Sequence, residues 1–248
     1  MAFVQNFPFF TIIMTLFCGP ISTVLSGKKA KIVNLGLITL VGLMNLAVFM
    51  FCFTHNTSYT YMMGHFPAPW GNEIRAGVLE ALMALVFCVV MLLSLMGGLH
   101  KLDEEVEPTK ENLYYILVDL LLGSLLALIY TNDIFTGFVF LEVSTLASCG
   151  CLVIKERGPV ILPTIRYMIF NLVGSGLFLI GIVTLYDLTG YLSIENIATA
   201  IKAMPTLNMP TMLGMMLVVI GLSIKSPALF PIVFNGKLYT HLRTHYII

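Results

Sequence analysis

Residues 134–154 read IFTGFVFLEVSTLASCGCLVI, an unbroken run in which a single charge, Glu142, stands among apolar and small side chains. At ~1.5 Å of rise per residue such a run makes a helix ~30 Å long, the thickness of a bilayer's hydrocarbon core. Backbone N–H and C=O groups find no water inside lipid, so each must be satisfied within its own segment, and the run is expected to be a helix rather than a strand. Glu142 falls nine residues after the loop residue Asp133. That depth is ~13–14 Å, too far for a glutamate to reach back to water. A charge at the bilayer centre costs roughly 2.5–3.5 kcal/mol on insertion scales. Glu142 therefore needs a partner, a water-filled cavity or a proton. It reads either as a protonated, hydrogen-bonded packing residue or as part of an ion path, and intramembrane acids mark ion paths by default.

The same character recurs on both sides of this run, at residues 7–25, 32–53, 77–99, 113–130, 165–186 and 212–234. The expected fold is all-α, a polytopic membrane helix bundle of about seven transmembrane helices in one domain over 1–248. Composition agrees: 58% of the 248 residues are hydrophobic and 10% are charged, with a mean hydropathy of +0.94. So few charges cannot cover the surface of a water-soluble domain of this length. With 13 Lys and Arg against 13 Asp and Glu, the chain offers no basic face to a nucleic acid. Cys18, Cys52, Cys88, Cys149 and Cys151 all sit in apolar runs at irregular spacing and read as small buried side chains. No Lys or Arg precedes Lys28, so the first run is expected to be a retained helix rather than a signal peptide. Pro20 should kink its end, and Asn112 is an N-cap candidate for the run at 113–130.

Basic residues alternate between loops. Lys28, Lys29 and Lys31, then Lys101 and Lys110, then Lys155, Arg157 and Arg166 fall in one set, and only Arg75 and Lys202 in the other. The positive-inside rule then places the basic loops in the cytoplasm and the N-terminus outside. The segment 55–72 carries Gly64, Pro67, Pro69 and Gly71 beside Tyr59, Tyr61, Phe66 and Trp70, which predicts an external turn or hairpin with aromatics at headgroup level. Residues 193–203 predict a short surface-lying helix, with Ile194, Ile197, Ala198 and Ile201 on one face.

Three more ionisable residues fall within or near the ends of apolar runs. Lys225 stands two residues before Pro227, which removes a backbone donor and should break the helix close by. It reads as an ion-handling lysine at a broken helix or as a lysine snorkelling from a helix end. Asp119 lies about a third of the way into its run and Glu80 one turn into another. Either belongs to a polar axis or faces a helix contact, and for Glu80 the helix contact is the preferred reading. If Glu142 and Lys225 meet, each stabilises the charge of the other, and opening and closing the pair would bind and release a proton.

The stretch 130–148, YTNDIFTGFVFLEVSTLAS, resembles the fifth helix of the proton-pumping antiporter-like subunits found in respiratory complex I, in membrane-bound hydrogenases and in the multisubunit Mrp-type Na+/H+ antiporters. Residues 166–181, RYMIFNLVGSGLFLIG, look like the sixth helix of that family, and 221–231, GLSIKSPALFP, like its lysine-bearing seventh. Residues 66–71, FPAPWG, with Glu73-Ile74-Arg75, are similar to the external hairpin of the D-type Mrp subunit. The resemblance covers roughly residues 5–231 and implies the first of two inverted repeats, the N-terminal half of an antiporter-like subunit. It implies that Glu142 and Lys225 are the Glu–Lys pair of a proton path, with Asp119 a further candidate and Pro227 the helix break. The implied partners are other membrane subunits, the cell membrane's lipid, protons and Na+; no cofactor and no metal is expected, and no catalytic site. Where the family has an Asp after the hairpin this chain has Gly77, and its tail, 235–248, does not match the family. The leading expectation is a proton-translocating subunit of an antiporter or of a complex I-like or hydrogenase membrane complex. A structural or assembly subunit is the first alternative, a small-solute carrier or channel the second, and a quinone-reducing enzyme the least favoured.

Overall fold

The computed structural model describes residues 2–25, 27–62, 73–107, 110–154, 158–206 and 208–225. A short helix α1 (Ala2–Gln5) leads into α2 (Phe7–Val24) and α3 (Gly27–His55). A hairpin of β1 (Tyr59–Met62) and β2 (Glu73–Ala76) precedes α4 (Val78–Glu105), α5 (Glu111–Tyr130) and α6 (Ile134–Val153). Then come α7 (Gly158–Thr189), α8 (Ile194–Ala203) and α9 (Met209–Lys225). The fold is a helical membrane bundle: six described helices are long and apolar enough to cross a bilayer, and α9 is a seventh apolar helix of 17 residues.

Several local details depart from the sequence reading. The helix α3 runs Gly27–His55 rather than 32–53, and α4 continues through Gly97 and Gly98 to Glu105. Glycine in a helix costs only ~1 kcal/mol per residue, less than a long apolar helix recovers. Pro20 lies inside α2. Asn112 is not an N-cap, because α5 starts one residue earlier with Lys110 in the cap position. Its side-chain amide instead donates to the carbonyl of Leu25, just past α2. The described part of the last helix is Met209–Lys225, where 212–234 was expected; Pro227 and the tail 235–248 lie outside the described residues.

The backbone divides into two compact units, Met1–Glu156 and Arg157–Ile248. Hydropathy marks which runs seek lipid but not which pack together, and that is decided by the helix faces. In the first unit α5 is the central helix, burying Tyr115, Val118, Asp119, Leu122, Leu126 and Tyr130. Against it and α4, α3 buries Asn34, Ile38, Val41, Asn45, Val48 and Cys52, a stripe spaced alternately four and three residues apart. That spacing keeps one narrow seam facing its neighbours. Beside Pro8 and Ile12, the buried face of α2 carries small and polar residues: Thr11, Thr15, Cys18, Gly19 and Ser22. Its threonines return their hydroxyls to the helix, Thr11 Oγ1 to the Pro8 carbonyl at 2.8 Å and Thr15 Oγ1 to that of Thr11 at 2.9 Å. Small, self-satisfied residues let neighbouring helix backbones approach closely.

The hairpin pairs β1 and β2 antiparallel, from Tyr59 opposite Ala76 to Met62 opposite Glu73. Asn56, with φ of 46°, turns the chain out of α3 in the left-handed region that Asn tolerates. Burial pushes the phenol of Tyr59 well up from its ordinary range, so it stays neutral. The glycines, prolines and Trp70 expected in this connection lie outside the described residues, which stop at Met62 and resume at Glu73.

The second unit packs α7 against α9, with α8 as a short helix between them in sequence. Of α8, Ile197 is the buried residue. The exposed faces carry Leu172, Val183, Leu213 and Val219, as expected of helices whose solvent is lipid.

Candidate functional site

The intramembrane acid that the structure surrounds most completely is Asp119. It lies eight residues into α5, ~12 Å from the start of the helix, and is 0% exposed. Asn34 of α3, also 0% exposed, donates from Nδ2 to Asp119 Oδ1 at 2.5 Å and reaches the Tyr115 carbonyl at 3.4 Å. Cys18 on α2 lies beside the same carboxyl, with Ser22 Oγ 4.0 Å from its sulfur. Asp119 Oδ2 and Asn34 Oδ1 are buried without a hydrogen-bond partner among the described residues. Three helices thus converge on one carboxyl.

One seam further along α3, Asn45 joins α4 and α5. Tyr130 donates its hydroxyl to Asn45 Oδ1 at 2.7 Å, and Asn45 Nδ2 donates to the Val41 carbonyl at 3.0 Å and to Cys88 Sγ at 3.6 Å. Tyr130 ends α5, and the next residues tie that end to the hairpin. Asn132 donates its backbone N–H to the Glu73 carbonyl and its Nδ2 to Glu73 Oε2, each at 3.0 Å, and Thr131 bridges Ile74. Asp133 caps α6 by accepting the Thr136 N–H at 2.7 Å. The rim of the first unit is thereby fixed where α6 begins.

Eight residues on from Ile134, and ~12 Å along the axis, Glu142 is half-buried on α6. Around it the hydroxyls of Ser144, Thr145 and Ser148 return to carbonyls of their own helix at 2.7–2.9 Å. Glu80 sits in the first turn of α4, its carboxylate folded over Gly77 so closely that a Cβ there would lie 2.6 Å from Oε2.

In the second unit Lys225 is half-buried at the end of the described part of α9. One turn before it, Gly221 lies against α7: a Cβ there would meet Phe178 N at 2.6 Å and the Gly174 carbonyl at 2.7 Å. Gly174 also meets Ile224, the neighbour of Lys225. One turn before Gly174 lies Asn171, 5% exposed, with neither amide atom partnered among the described residues. Glu142 belongs to the first unit and Lys225 to the second, so their pairing stands as a proposal. Pro227 lies outside the described residues.

Sequence reasoning singled out Asp119 but missed Asn34, Asn45 and Asn171. The first two had a signal: both are polar residues inside an apolar run, eleven positions and so about three turns apart on one face. Among the described residues no group of three His, Cys, Asp or Glu stands close enough to hold a metal ion.

Residues 131–232 match the family described as NADH:quinone oxidoreductase/Mrp antiporter, TM, a stretch that includes both Glu142 and Lys225. Over 161 residues the chain is 28% identical to the D-type subunit of the Na(+)/H(+) antiporter of Bacillus subtilis, covering 65% of this chain and 32% of that protein. The chain thus spans about a third of the length of that relative. In fold it is similar to a chain of an archaeal respiratory complex, the membrane-bound sulfane sulfur reductase, with a TM-score of 0.77 at 23% identity over 90% of this chain and 44% of that one. A chain of the Mrp complex from Dietzia sp. gives a TM-score of 0.76 at 19% identity, over 90% and 41%. The resemblance read from the sequence therefore holds: the chain is a multi-pass membrane protein similar to antiporter-like subunits of multisubunit complexes.

Proposed function

We propose that this chain is a proton-translocating subunit of a multisubunit cation/proton antiporter, or of a complex I-like or hydrogenase membrane complex, and that Glu142 and Lys225 carry the proton with Asp119 as a further station. The observation that carries this reading is Glu142 itself, a half-buried carboxylate ~12 Å along an apolar helix, in the segment that matches the antiporter family. A carboxylate at that depth costs too much to serve packing alone when a leucine would pack better. Lys225 falls in the same matched segment. At ~4 Å and an effective dielectric of ~20, an acid and an amine attract by ~4 kcal/mol before desolvation. Opening such a pair changes the affinity of the lysine for its proton, and a helix break at Pro227 would admit the water that delivers it.

The driving partner is a cation, Na+ first, for an antiporter, or a redox subunit for a respiratory complex. The chain would sit in the cell membrane with its basic helix ends, those near Lys29, Lys110 and Arg166, in the cytoplasm.

The test is a pH-gradient assay in proteoliposomes that hold the chain with its partner subunits. Glu142→Gln and Lys225→Ala should each abolish proton movement while leaving assembly intact. A second reading is a structural or assembly subunit without transport of its own. Under that reading both variants pump normally, and deleting the chain disperses the complex.

A further inference from the structure

Asp119 and Asn34 come from helices 85 positions apart in sequence and share one hydrogen bond, Asn34 Nδ2 to Asp119 Oδ1. Each then has one buried oxygen left over, Asp119 Oδ2 and Asn34 Oδ1, and neither has a partner among the described residues. An ionised carboxylate only accepts hydrogen bonds, and so does an amide oxygen. With Asp119 charged, the pair would leave two acceptors unsatisfied in a fully buried place, a cost that native interiors avoid. A proton on Oδ2 removes both defects together. A neutral acid would donate from Oδ2 to the amide oxygen, and the two planar groups would close into an eight-membered acid–amide ring.

The surroundings fit a neutral acid. Among the residues whose side chains are described, the titratable groups on the elements packed against α5 are Cys18 on α2; Lys29, Lys31, Cys52 and His55 on α3; Glu73 and Arg75 on β2; Glu80 and Cys88 on α4; and Glu142, Cys149 and Cys151 on α6. Of these, Cys18 lies beside the Asp119 carboxyl, and a thiol brings no countercharge. Among the described residues no Lys, Arg or His forms an ion pair with Asp119.

We propose that Asp119 and Asn34 form a proton-binding site of the first unit, in which Asp119 carries its proton on Oδ2 and gives it to Asn34 Oδ1 while accepting from Asn34 Nδ2. Asn34 is the positioning residue and Asp119 the group that holds the proton. The site sits on α3 and α5 and is built without Glu142 or Lys225. It goes beyond the proposed proton route, because it assigns Asp119 a protonation state and a partner whether or not the chain moves protons.

Infrared spectroscopy of the full chain in lipid vesicles at neutral pH tests this. The expected result is a carbonyl band of an un-ionised carboxylic acid that shifts on exchange into D2O. Asp119→Asn should remove the band, Asn34→Leu should move it to higher frequency by taking away its donor, and Glu142→Gln should leave it in place. Asp119→Asn should also keep the thermal midpoint of the chain, since an amide can close the same ring. The proposal is overturned if the band is absent at neutral pH, if it survives Asp119→Asn, or if Glu142→Gln removes it. Should Asp119→Asn fail to fold, Asn34→Leu decides, and an unmoved band in that variant overturns it. Loss of proton flux in Glu142→Gln with the Asp119 band intact would show that the two sites stand or fall separately.

Discussion

The two units solve the same problem in opposite ways. In the first, α3, α4 and α5 are joined by polar side chains buried in a helix seam: Asn34 on Asp119, and Asn45 between Cys88 and Tyr130. In the second, α7 and α9 meet through glycines, Gly174 and Gly181 on one helix against Gly214 and Gly221 on the other. Within lipid no hydrophobic force favours one helix contact over another, so specificity comes from hydrogen bonds or from close backbone approach. The difference teaches where each unit can yield. A hydrogen-bonded seam can be opened by moving a proton, whereas a glycine seam opens only if the helices separate.

The largest effect should come from breaking the glycine seam. At Gly221 a Cβ would lie 2.6 Å from the backbone nitrogen of Phe178, which cannot rotate away. Gly221→Leu is expected to cost about 3 kcal/mol or more and to raise amide hydrogen exchange throughout α7 and α9 while leaving α3 and α5 protected. Equal exchange in wild type and variant would mean that the seam is not what holds the pair. Gly181→Ala probes the other end of the contact, where a Cβ would lie 2.7 Å from Val218 N and 2.9 Å from the Gly214 carbonyl. Its expected cost is about 2 kcal/mol, seen in the same two helices.

Cutting the polar seam should do less. Tyr130→Phe leaves Asn45 Oδ1 without its 2.7 Å donor, and interhelical hydrogen bonds in membranes are worth about 0.6–1.7 kcal/mol. Exchange should rise at the Tyr130 end of α5 and in the facing part of α3, with α7 and α9 unchanged. A rise in both units together would erase the contrast between them. The smallest effect is expected at the rim. Asn132→Ala removes the 3.0 Å bond to Glu73 Oε2 but keeps the backbone bond to the Glu73 carbonyl. It should cost about 0.5–1 kcal/mol, read as faster exchange in β2 and no change elsewhere.

Much of this was legible in the residues. Run length and apolarity placed the helices, and the bilayer left the backbone no alternative to helix. The depth of Glu142 followed from the helical rise alone. A hairpin was expected within 55–72 as well, although its register, Tyr59 opposite Ala76, was not legible. Asn112 shows the limit from the other side. It has the chemistry of an N-cap, yet it lies within α5 and binds the Leu25 carbonyl, because the end of α2 comes within its reach.

By itself the sequence determined that this is a membrane-spanning helical chain with acids and an amine in its apolar runs, since hydropathy and helical rise are local properties that each segment carries with it. Only the tertiary structure decided that Asp119 meets Asn34, that Tyr130 meets Asn45, and that α7 turns its glycines to α9. Those contacts depend on how far each helix is rotated about its own axis, and that rotation is set jointly by all the side chains packed around it.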